Sequence, residues 1–97
     1  MLVLGCEPGD EFLVGNSRLR CERIEPLKQF VLMRVWTHDG EGGELITVSH
    51  RDWLSVRCTR GHQIREFRIK LSTRYQLRPS SARLVFDADD DIDIDRQ

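Results

Sequence analysis

The sequence predicts a mostly β domain made of five short antiparallel strands, a short helix and a C-terminal extension. Three observations carry this prediction. Apolar runs of roughly four to eight residues recur through the first half, each closed by glycine, proline or asparagine. The connections between them are short, which suits antiparallel neighbours and leaves no room for parallel crossovers. After "TVS" the pattern changes to "HRDWLSVR", where apolar residues stand three apart.

Residues 1–5 read as the first strand, and Pro8-Gly9-Asp10 as the turn that follows it. Phe12, Leu13 and Val14 form a second strand, closed by Gly15-Asn16-Ser17. Residues 18–24 form a third, in which Leu19 and Cys21 share a face and Arg23 interrupts the alternation. Pro26 ends that run because proline has no N–H for a ladder. Residues 30–37 are the strongest strand. Phe30, Leu32 and Trp36 fall on one side and Val31, Met33 and Val35 on the other, so a central position is expected. Asp39 to Gly43 ("DGEGG") reads as a flexible connection, and residues 45–49 as a fifth strand. A short helix is expected over 51–57, with Ser49 as N-cap, Asp52 in the first turn, Trp53 and Val56 on one side, and Gly61 as its stop.

Residues 62–86 are ambiguous. Ile64, Phe67, Arg68 and Leu71 suit a helix, whereas Phe67, Ile69 and Leu71 suit a strand. Pro79-Ser80-Ser81 reads as a loop and Leu84-Val85-Phe86 as a last strand. The aspartate-rich stretch after it is expected to be a disordered tail. The expected organisation is therefore a domain over 1–57, a basic extension over 58–86 and an acidic tail over 87–97.

A chain of 97 residues suits one domain. At this size only about 60–65% of the unfolded surface is buried, so self-association would add useful burial. No apolar run approaches the roughly 18 residues that span a bilayer. The opening lacks the basic region of a signal peptide, and its apolar run stops at Leu4. Cys6, Cys21 and Cys58 are odd in number and widely spaced, which fits free thiols in a reducing cytoplasm.

The net charge of −1 conceals a segregation. Residues 1–50 balance at −3, residues 51–83 at +7 and residues 84–97 at −5. This pattern points to a charged partner, to an acidic tail that folds back on a basic surface, or to a solvated arginine-rich face.

"MLVL" followed by "GDEFLVG" resembles the opening of the CsrA/RsmA carbon storage regulators, and "SHRDWL" looks like that family's histidine-arginine-acidic step. "DGEGG" would be an insertion, and the resemblance covers residues 1–57. It implies a homodimer in which the first and last strands of each copy pair with the other copy. It also implies binding of GGA-containing RNA hairpins, control of translation or message decay, no cofactor, and antagonism by a protein partner or decoy RNAs. Carried over by position, Leu4 would contact RNA at the first strand, and Arg51 would reach the same RNA from the partner copy. Cys6 and Glu7 stand where the family is usually basic or polar. That departure opens a second reading, a scaffold that no longer reads RNA and acts as a protein-interaction module. Arg57, Arg60 and Arg65 follow Arg51 closely and are candidate replacement cations for phosphates.

Other chemistry is weakly supported. Cys58, His62 and His50 do not have zinc spacing. "DADDDIDID" lacks the glycine and distal glutamate of a calcium loop. Ser49, His50 and Asp52 are triad residue types, but sequence neighbours rarely converge as a triad must. No enzyme and no metal site are expected, and Trp36 and Trp53 are read as packing residues.

Overall fold

Neither sheet of this protein is built from one continuous stretch of chain. The computed structural model describes residues 1–37 and 43–97. Nine strands follow one another as β1 (Leu2–Cys6), β2 (Glu11–Val14), β3 (Ser17–Glu25), β4 (Phe30–Trp36), β5 (Glu44–Ser49), β6 (Leu54–Arg60), β7 (Gln63–Leu71), β8 (Ala82–Asp87) and β9 (Ile94–Arg96). They form a four-stranded sheet in the order β1-β8-β7-β6 and a five-stranded sheet in the order β5-β4-β3-β2-β9. All pairings are antiparallel.

The first five expected strands are present, and period-two alternation explains them. On β4, Val31, Met33 and Val35 are buried while Phe30, Leu32, Arg34 and Trp36 are half-buried, and the strand lies between β3 and β5. The interruption at Arg23 is a β-bulge: the register with β4 shifts between Cys21 and Arg23. The shift returns Ile24 to the buried face that Leu19 and Cys21 occupy. Of the glycine-rich connection expected over 39–43, residues 39–42 lie outside the described residues.

Three expectations are corrected. The helix over 51–57 is absent, because Leu54–Arg60 is strand β6. Val56 and Cys58 point inward while Ser55 and Arg57 point outward, so alternation overrides the three-residue spacing of Trp53 and Val56. Gly61 therefore stops no helix, and instead begins the β6–β7 turn with φ 61°. The ambiguous stretch resolves to strand. Phe67, Ile69 and Leu71 are all buried, and Ile64, which a helix would bury, is exposed. Residues 58–86 are accordingly no appendage, since β8 is the direct partner of β1, with Leu2 opposite Phe86 and Leu4 opposite Leu84. The strand exchange expected between two copies is met here by a strand of the same chain. The acidic tail is ordered as well. "DIDID" alternates like a strand, Ile92 is buried, and β9 pairs with β2 through Val14 and Ile94.

The core lies between the sheets. Phe12 of the five-stranded sheet meets Phe86 of the other at 5.8 Å between ring centroids, and Phe67 lies 6.3 Å from Phe86. All three rings are essentially fully buried, each stabilising the fold by about 1.5–3 kcal/mol. Trp36 and Trp53 lie partly exposed outside this core. Arg18 sits 4.2 Å from the Trp36 ring, and Lys70 sits 4.5 Å from the Trp53 ring. Among the described residues no helix is long and apolar enough to cross a membrane.

A second seam joins the sheets at the edge of β6. The Ser17 hydroxyl, fully buried, donates to the Arg57 carbonyl at 2.9 Å, and the Asn16 side-chain amide donates to Thr59 Oγ1 at 2.9 Å. Gly15 makes this approach possible. It has φ 59°, and a Cβ there would stand 2.9 Å from the Thr59 carbonyl oxygen. Gly61 has nearly the same φ but open space around it. Gly61→Ala should therefore cost only the backbone strain, about 1 kcal/mol, and Gly15→Ala about 1–3 kcal/mol more. Urea midpoints of the two variants check this; equal losses would mean that the turn does not press on β6.

Candidate nucleic-acid interface

The chain has 15 lysines and arginines, and a surface that binds polyanions needs those that carboxylates have not taken. Much of the basic segment is taken. Arg65 reaches both Asp89 and Asp91, Arg60 reaches Asp91 at 3.3 Å, and Arg68 pairs with Asp87. These aspartates lie at the end of β8 and in the connection to β9, so the acidic segment does fold back on basic side chains. Hydrogen bonds from Arg65, then the nearby charges of Arg65 and Arg60, hold the Asp91 carboxyl below its ordinary range. On the first half, Glu22 lies at the β3 bulge and takes both Arg20 and Arg34.

Among the described residues, Lys28, Arg51, Arg57, Lys70, Arg74, Arg78 and Arg83 make no ion pair. Arg78 and Arg83 share one groove of about 520 Å³. Its wall on one side is the end of β1, at Gly5, Cys6 and Glu7. On the other are Tyr75, Gln76 and Arg78 from the β7–β8 connection, with Arg83 at the start of β8 and Arg96 from β9.

Local structure fixes these side chains. Pro79 and Ser80 form a tight turn closed by paired backbone bonds between Arg78 and Ser81, at 3.1 and 3.2 Å. The Ser72 N–H donates to the Arg83 carbonyl at 3.0 Å, which ties the base of the connection. The Arg83 guanidinium lies 4.3 Å from the centre of the Tyr75 ring, and Tyr75 is 51% exposed. The Arg96 guanidinium donates to the Gly5 carbonyl and, at 3.3 Å, to Asp10. Cys6 adds no charge to the groove. A hydrogen bond with Cys21, then burial, push its thiol well up, so it stays neutral. Glu7 is the one carboxylate among the residues that line the groove.

The arrangement suits a single-stranded polyanion. Arginine forks hold phosphates, and an exposed tyrosine beneath a guanidinium offers a surface on which an unpaired base can stack. Among the described residues, no group of three metal-ligating side chains comes together.

The sequence-derived candidates are not gathered at one place within the chain. Leu4 lies half-buried on β1, while Arg57 and Arg60 lie on β6 at the opposite edge of the same sheet. Three strand spacings separate those edges, roughly 14 Å. Arg51 follows β5 on the other sheet. Arg60 is occupied by Asp91, and Arg57 is exposed. Sequence reasoning missed Tyr75, Arg78, Arg83 and Arg96. The stretch "RYQLRPSSAR" interleaves arginines with a tyrosine and did carry a signal for three of them. Arg96 was hidden by the negative balance of its own segment.

No family model, no curated protein and no solved structure matches the chain.

The Asp91 clasp has a pH signature. Its folded-state carboxyl titrates below the unfolded value, so its stabilisation is complete above the ordinary carboxylate range and is lost as pH falls through the depressed value. Thermal midpoints followed from neutral to acid pH should fall less steeply for Asp91→Asn than for the parent chain. Identical slopes would show that the clasp is not coupled to folding.

Proposed function

We propose that this chain is an RNA-binding post-transcriptional regulator that holds unpaired RNA in the groove at the end of β1. One observation carries the reading: Arg78 and Arg83, free of carboxylates among the described residues, converge with Arg96 and the exposed Tyr75 on one concavity, while Arg60, Arg65 and Arg68 are taken by aspartates. The resemblance of residues 1–57 to carbon storage regulators supports the same class of partner, and with it the reading that the chain acts in the cytoplasm on message leaders or small RNAs. In this reading Leu4 positions the strand end that forms one wall. Arg51 and Arg57 remain outside this groove, and Arg60 serves to order the acidic segment.

A second reading is a protein-interaction module. Glu7 in the groove wall favours it, as does edge strand β1, where Leu2 and Val3 are 40% and 45% exposed. RNA titration separates the two. A hairpin presenting an unpaired GGA loop should bind the parent chain with strong salt dependence. Arg78→Ala combined with Arg83→Ala should weaken binding about ten-fold or more and flatten the log–log salt slope by roughly 1.4, about 0.7 per phosphate contact. Arg57→Ala should leave both unchanged within about two-fold. An RNA affinity indifferent to Arg78 and Arg83 would refute the groove, and no RNA binding at all would favour the interaction module.

A further inference from the structure

The two halves of the chain repeat one arrangement. In the first, β1 is followed by the meander β2-β3-β4; in the second, β5 is followed by the meander β6-β7-β8. In each half the leading strand leaves its own meander and pairs with the last strand of the other: β1 on β8, β5 on β4. Both meanders open with a two-residue turn whose first residue is a glycine at positive φ, Gly15 at 59° and Gly61 at 61°. Their middle strands, β3 and β7, are nine residues each. The halves differ in the connection before the last meander strand, which is longer between β7 and β8 than between β3 and β4, in the β3 bulge, and at one sheet edge. β9 lies on the outer edge of β2, whereas among the described residues the outer edge of β6 has no such strand and is capped instead by Asn16 and Ser17.

This internal two-fold relation has a consequence for binding. The groove described above lies where the end of β1 meets the connection into β8. Its counterpart is where the end of β5 meets the connection into β4. A groove of about 500 Å³ is present there, lined by Lys28, Gln29, Phe30, Ser49, His50 and Arg51 among others. Lys28 and Arg51 are exposed and make no ion pair among the described residues, and Phe30 is half-buried beside them. Of the seven lysines and arginines without a carboxylate partner named above, two therefore stand at this groove and two at the first. Both grooves are lined by residues of this one chain.

We propose that the groove at the end of β5 is a second RNA-binding site, and that a single chain, with its strand exchange closed internally, holds two unpaired RNA segments at once. The inference rests on the RNA reading of the first groove. The two sites are unequal. The first adds Arg96 from β9 and the Arg83–Tyr75 stack, and among the described residues the second has no strand equivalent to β9, so the first binds more tightly. An RNA presenting two separated loops gains from the linkage of its second binding event, on the order of 100-fold over a one-loop RNA.

The test uses the full chain and two RNA probes, one with a single unpaired GGA loop and one with two such loops joined by a flexible spacer. Light scattering of the free protein should give the mass of one chain. Titration with the one-loop RNA should show two equivalents bound with unequal affinity. Lys28→Ala combined with Arg51→Ala, both at exposed positions, should remove the weaker equivalent, leave the tighter one, and abolish the advantage of the two-loop RNA. Arg78→Ala combined with Arg83→Ala should weaken the other equivalent. A two-chain mass would overturn the internally closed arrangement. One equivalent bound, with no response to Lys28 and Arg51, would overturn the second site and leave the first standing. No binding of either RNA would overturn both.

Discussion

The pairing of β1 with β8 is the constraint from which the rest of the molecule follows. It places a strand from the start of the sequence beside one from its last fifth, and the edge of the four-stranded sheet is set by that contact. Because β1 occupies this position, the chain must cross between the sheets to begin β2, and it crosses again after β5 and after β8. Each crossing leaves a strand end facing a loop of the other half. Two concavities whose lining includes cations without an ion pair among the described residues stand at two of those ends. The site is thus a by-product of how the sheets are closed and not a decoration on a finished scaffold.

Electrostatics then sorts the arginines. The sequence shows a block of positive charge, but the fold divides it by partner. Arginines that face the β8–β9 connection are neutralised by Asp87, Asp89 and Asp91, which order that connection and deliver β9 to β2. Among the described residues, Arg74 and Arg78 on the β7–β8 connection make no ion pair. The acidic segment therefore does two opposed jobs. It consumes the cations of Arg60, Arg65 and Arg68, and by carrying β9 into place it supplies Arg96 to the groove.

What could be read in the sequence follows from the range of the interaction that decides each element. Strands β1 to β5 were legible because alternation and turn residues are local, and even the β3 bulge left a trace at Arg23. The helix expected over 51–57 failed because Ser49, Asp52 and the Trp53–Val56 spacing are local signals, whereas the pairing of Val56 with Phe67 and Leu54 with Ile69 is tertiary. The order of the aspartate-rich end was illegible for a related reason. Its stability comes from arginines more than twenty residues away and from a strand at the other end of the chain. The groove was the least legible feature, since Gly5, Arg83 and Arg96 meet only after both sheets have closed.

The same long-range closure bears on how the polypeptide is made. Strand β1 carries no charged side chain, and its exposed Leu2 and Val3 sit beside Leu4. Its partner is synthesised roughly 80 residues later, which at about 5–20 residues per second leaves this apolar segment uncovered for several seconds on the ribosome. Pairings so distant in sequence also form slowly once all the parts exist. Biogenesis, more than the finished molecule, is where this architecture is most vulnerable to aggregation.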